Sequence, residues 1–181
     1  GKTDVLLGVD AISLAQPAAR GITYADLQRE GLLESNNGND TISASALALP
    51  GDEAAQRALG YLHANCGVSC HNPNTLGTKF PSRLEIVNRR VTSLSETSLF
   101  KSAINIPSIY QPADAPGLLY RIRPGDSARS AVHYLMNRRN RQQAMSNQMP
   151  PIATHKIDAD GVALVEAWIA GMTVAKGYPA P

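Results

Sequence analysis

The sequence predicts an all-α chain, and three observations predict it. Residues 52–65 carry Ala54, Ala55, Ala58, Leu59 and Leu62 at helical spacing. Toward the other end, Val162, Val165, Trp168, Ile169 and Met172 form one apolar stripe. Between these segments, residues 72–120 are rich in Pro, Ser, Thr and Asn and offer few regular elements. Helices near the start, middle and end, joined by irregular loops, describe a small helical domain. At 181 residues the chain is long enough for one domain with a real core.

The elements follow in chain order. Val5-Leu6-Leu7-Gly8-Val9 has the composition of a short strand. Thr23-Tyr24-Ala25-Asp26 has the form of a capping box ahead of Leu27, with Gly31 as a stop, so a short helix is expected over 23–31. Asn36-Asn37-Gly38-Asn39-Asp40 is a turn cluster. Asp52 is placed to cap the helix that runs into Cys66. Leu84 to Val87 reads as a short strand or turn, and Ser95 to Ala103 as a short helix. Asp126 or Ser127 is expected to cap a helix running to about Arg138, with Ala131, Val132, Leu135 and Met136 inward. Asp158 or Asp160 starts the final helix, which Gly171 ends. No internal repeat of fixed period is visible.

The charge balance excludes some partners. A net charge of +2 is too small to argue for nucleic acid or an anionic membrane surface. Arg138, Arg139 and Arg141 cluster locally and read as a solvated helix end, with a docking patch for an acidic partner as the alternative. No stretch approaches ~20 continuous apolar residues, so no membrane span is expected. Gly1-Lys2-Thr3-Asp4 reads as the start of a mature or trimmed chain.

The chemistry concentrates in Tyr61-Leu62-His63-Ala64-Asn65-Cys66-Gly67-Val68-Ser69-Cys70-His71-Asn72-Pro73. A cysteine pair followed at once by histidine is the attachment signature of haem c. Two thiols that add across the two porphyrin vinyls fix its edge to the chain, and the next residue lies under the iron as its proximal ligand. Aromatic residues make up only 5% of the chain, and a buried porphyrin would fill a core short of large side chains. The usual spacing has two residues between the cysteines; here there are three, Gly67, Val68 and Ser69. Gly67 offers a place for the extra residue to bulge out. Two other readings of the pair are a simple disulfide, and copper or zinc held together with His63 and His71.

For the sixth position on the iron, Gln148-Met149-Pro150-Pro151 offers a methionine in a proline-stiffened loop just before the last helix. His133, His155, Met136 and Met145 are alternatives, as is an open or water-bound site. His63 reads as a helix-surface or packing residue. Trp168 reads as core. Arg121 or Arg123 is a candidate partner for a haem propionate, against the reading of a plain surface arginine.

Taken together, these stretches resemble class I-like c-type cytochrome domains found near the C-termini of secreted bacterial proteins. Those carry a helix ending YLxxNCxxCHxP, a variable middle, an MPP loop and a helix resembling GVALxxxWI. The matching stretches are Tyr61 to Pro73, Met149 to Pro151, and Gly161 to Ile169; Pro124-Gly125-Asp126 is similar to a PGD turn ahead of a helix. The resemblance spans roughly residues 55–172. It implies a small cytochrome c-like helical domain with long irregular loops wrapping one haem c. It implies that Cys66 and Cys70 attach the haem, that His71 is the proximal iron ligand and that Met149 is the distal one. The organisation expected is an N-terminal extension over 1–50 packing on the haem domain, a cytochrome c-like domain over 51–175 and a C-terminal tail over 176–181.

The function implied is electron transfer with a redox partner protein, since His/Met ligation leaves no coordination site open. Two rivals are a peroxidase-like haem enzyme and a structural or interaction module stapled by haem. The distal Arg and His usual in peroxidases are not identifiable. Covalent haem attachment takes place outside the bacterial cytoplasm, so the resemblance implies a periplasmic or extracellular location. The start of the chain suits a module of a larger secreted chain or assembly.

Overall fold

The computed structural model describes residues 11–16, 21–33, 47–73, 92–139, 148–152 and 154–180. Among them helices are the regular elements, and β-type pairing is confined to isolated bridges. The strands expected over 5–9 and 84–87 and the turn over 36–40 lie outside the described residues. No helix among the described residues is long and apolar enough to cross a membrane. The chain divides into two compact units, Gly1–Ser98 and Leu99–Pro181.

The first unit holds α1 (Ala11–Leu14), α2 (Tyr24–Arg29) and α3 (Glu53–Leu62). α2 forms where the capping box predicts it. The Thr23 hydroxyl accepts from the Asp26 amide at 3.2 Å, and the Asp26 carboxylate accepts from the Thr23 amide at 2.9 Å. Gly31 ends it in the left-handed region, at φ 66°. α3 starts at Asp52, whose carboxylate accepts from the Ala55 amide at 3.0 Å. Its inner face buries Ala55, Ala58, Leu59 and Leu62, and Leu47 and Leu49 are buried ahead of it. A short 3-10 turn, Leu94–Glu96, closes the described part of this unit.

α4 (Ser98–Ala103) begins at the boundary between the units. The expected helix over 95–103 is therefore split. Buried Thr97 interrupts it, with its hydroxyl donating back to the Leu94 carbonyl at 2.8 Å.

The second unit contains α5 (Ala131–Met136) and α6 (Ala159–Ala170), which pack on each other. α5 starts four residues later than an Asp126 cap requires. The cause is non-local. The amides of Ala131 and Val132, which lack partners inside a helix's first turn, donate to the carbonyls of Tyr120 and Arg121 at 3.0 Å each. Ser130, fully buried, accepts from the Arg123 amide and donates to the Asp126 carbonyl, both at 2.8 Å. Residues 126–130 are thereby held as turns. Asp126 serves one of them by accepting from the Arg129 amide at 3.0 Å.

α6 behaves as its stripe predicts. Asp158 accepts from the Gly161 amide at 3.0 Å, and Gly171 caps the C-terminus. Val162, Val165, Trp168, Ile169 and Met172 are buried. Trp168 is core, and its indole N–H donates to the Tyr178 hydroxyl at 2.8 Å. Tyr178 in turn stacks on Phe100, with ring centroids 6.1 Å apart. An apolar ring with a satisfied polar tip is how a buried Trp avoids a desolvation penalty.

Candidate functional site

The helix that leads into the cysteines changes its winding as it reaches them. α3 passes into a π-helical segment, His63–Gly67. The Val68 amide donates to the His63 carbonyl at 2.9 Å, five residues back, and the His71 amide donates to the Cys66 carbonyl at 2.8 Å, again five back. The Cys70 amide reaches the same Cys66 carbonyl at 3.2 Å. A π turn takes one more residue than an α turn, and such segments recur at functional sites. Gly67 is the last residue of the π segment.

The end of this segment is fastened by one side chain. Buried Asn72 donates through its amide nitrogen to the carbonyls of Gly67 at 2.9 Å and Val68 at 2.8 Å. These carbonyls end a helix and have no partner within it, so the side chain satisfies acceptors that would otherwise need water. His71 is thus fixed on one side by its own amide and on the other by its neighbour. His63, one turn before the motif, is buried, in keeping with a packing residue.

Cys66 is half-buried, Cys70 is exposed, and their sulfurs are not joined to each other. Burial, with a smaller contribution from the nearby Cys70 sulfur, pushes the Cys66 thiol up to about 12. Cys66 is accordingly a protonated thiol at neutral pH. His71 is half-buried and follows directly. Among the described residues no group of three or more His, Cys, Asp or Glu side chains converges as a metal site.

Met149 lies in the second unit. It is half-buried, and its amide donates to the Leu135 carbonyl of α5 at 2.9 Å. The Pro150 carbonyl accepts from buried Gln148 at 3.1 Å and from Thr154 at 3.3 Å. The other candidates for an axial role are placed as follows. His133 faces Glu166 on α6, with nitrogen and oxygen 3.8 Å apart. His155 is exposed, Met136 is core, and Met145 lies outside the described residues.

The arginines are placed as follows. Arg138 pairs with Asp114 at 2.8 Å and lies over the Tyr134 ring, 4.5 Å from its centroid. Arg139 is turned onto backbone carbonyls. Both side chains are half-buried just past the end of α5 and bonded within their own unit; Arg141 lies outside the described residues. Arg121 donates to the Ser102 carbonyl, and burial lowers its pKa. Arg123 lies over the Tyr120 ring at 5.7 Å, with its Nε buried and unpartnered.

Sequence reasoning gave no role to Asn72 or Tyr178 and did not foresee the backbone contacts of Arg139. Only Asn72 left a local signal, as an amide side chain just past a helix end. The likeness to c-type cytochromes rests on the motif residues alone. The chain matches no protein family model, no curated protein and no solved structure.

Proposed function

We propose that the chain carries one haem c and serves in one-electron transfer. Cys66 and Cys70 would bind it as thioethers, His71 would be its proximal ligand and Met149 its distal one. The observation that carries this reading is the turn Cys66–Asn72: two unjoined thiols and an imidazole, on backbone tied by the Cys66 carbonyl and the Asn72 side chain. That donor set fits covalent haem attachment, and the widened winding supports the three-residue spacing.

When bound, haem supplies a one-electron couple whose potential the protein tunes through its ligands and burial. The chain's own residues do the rest. Cys66 and Cys70 would hold the group, each through a carbon–sulfur bond made by adding its S–H across a vinyl, the hydrogen going to the other vinyl carbon. His71 is held by its amide, so its imidazole starts from a fixed backbone. Met149 would supply a second protein ligand to the group, a donor set that favours electron carriage over oxygen chemistry. Attachment of this kind implies a periplasmic or extracellular location and a protein redox partner.

Mass spectrometry of the intact chain, coexpressed with haem attachment machinery, tests the reading. The expected result is the mass of one haem retained under denaturing conditions, with sharp c-type bands in the reduced-minus-oxidised spectrum. Single Cys66→Ala and Cys70→Ala changes should each remove one thioether. A colourless chain, or haem that leaves on denaturation, overturns the proposal.

A further inference from the structure

One guanidinium in the second unit reaches three stretches of backbone. Arg139 Nη1 donates to the Met136 carbonyl at the end of α5, at 3.1 Å, and to the Met149 carbonyl at 3.3 Å. The same nitrogen donates to its own neighbour, the Arg138 carbonyl. Arg139 Nε donates to the Lys156 carbonyl, just ahead of α6, at 3.0 Å. Met149 is therefore gripped at both ends of its backbone. Its N–H goes to Leu135, and its C=O goes to a cation anchored on the same helix end.

We infer that Arg139 is the positioning residue of the Met149 sulfur, fixing the loop that delivers it. The inference rests on the reading of Met149 as distal ligand. Two features single out arginine. A planar fork with N–H groups pointing in several directions can serve carbonyls from three segments at once, which a lysine ammonium on a flexible stem does not reproduce. The carbonyls at the end of α5 also lack intrahelical partners and carry the negative end of the helix dipole, so a cation is favoured there. Arg138, next in the chain, does none of this. Its partners are Asp114 and the Tyr134 ring, and it serves as an internal control.

The test uses the full haem-loaded chain with four single changes: Arg139→Lys, Arg139→Ala, Arg138→Ala and Met149→Ala. The first readout is the concentration of imidazole that displaces methionine sulfur, followed through the sulfur-to-iron band of the ferric form. The second is hydrogen exchange at the Met149 amide. Both Arg139 variants should lose the sulfur at roughly a tenth of the imidazole that the native chain withstands, the effect of losing a charged hydrogen bond. The same variants should exchange the Met149 amide faster. Arg138→Ala should leave both readouts as in the native chain. If Arg139→Ala does not fold, Arg139→Lys carries the test. Native imidazole titrations in the Arg139 variants, alongside a band lost in Met149→Ala, remove the inference and leave the axial reading standing. A band that survives Met149→Ala removes the axial reading and this inference with it.

Discussion

The amide of His71 donates to the carbonyl of Cys66 at 2.8 Å across five residues, so the histidine and the first cysteine share one wide backbone turn. The backbone of the histidine is placed relative to the first cysteine by that turn.

Asn72 is the side chain that closes the turn, and its removal gives the first prediction. Asn72→Ala deletes two hydrogen bonds, at 2.9 and 2.8 Å, and leaves carbonyls at a helix end without that partner. A loss of about 1–3 kcal/mol is expected in denaturant unfolding. The yield of covalently loaded chain should fall with it. Native stability and native loading in this variant would mean that the turn holds itself without the amide.

The two thiols should differ in reactivity in a chain made without haem. Alkylation requires the thiolate. Cys70 is exposed and should be modified first. Burial and the adjacent sulfur hold Cys66 as a thiol to about pH 12, so its modification should accelerate only as pH rises toward that value. Peptide mapping after timed iodoacetamide treatment at several pH values reads both rates. Equal rates at pH 8 would contradict the burial of Cys66.

What the sequence made legible was local. The capping box at Thr23 and Asp26, the caps at Asp52 and Asp158, and the apolar stripe of α6 all depend on residues three or four apart, and all are found where expected. The start of α5 is set by carbonyls of Tyr120 and Arg121, about ten residues upstream, and no capping pattern announces that. Arg139 gains its role from Met149 and Lys156, and Tyr178 from Trp168 and Phe100. At the candidate site the cysteine spacing was plain in the sequence. The change to π winding was not, because it depends on which carbonyl each amide selects.

Two glycines at either end of α3 should respond in opposite directions to the same substitution. Gly51 has φ 101°, and a Cβ there would lie 2.7 Å from the Ala55 Cβ. Gly51→Ala should cost about 1–3 kcal/mol through backbone strain and that clash. Gly60 lies inside α3, and a Cβ there would meet Gln16 and Leu49 carbons at 3.5 Å, ordinary contact distance. Gly60→Ala should stabilise by roughly 0.5–1 kcal/mol, since a helical glycine gives up more conformational freedom than alanine. Unfolding midpoints of the two variants decide the matter, and shifts of the same sign would refute the geometry assigned to α3.

The capping box of α2 should leave a signature at acid pH. The Asp26 carboxyl is held at about 2, below its usual 3.8, by hydrogen bonds from the Thr23 hydroxyl first, then the Thr23 amide and Arg29. A depressed carboxyl contributes its stabilisation above its unfolded value and loses it as pH falls through the folded one. The α2 turn should therefore stay capped down to about pH 4 and lose its cap between there and about pH 2. Thr23→Ala removes the largest cause, so the carboxyl should return toward 3.8 and the loss should begin at higher pH. Carbon-detected NMR titration of the Asp26 side chain in both chains measures the shift directly. An Asp26 that titrates identically with and without the Thr23 hydroxyl would show that the box does not form in solution.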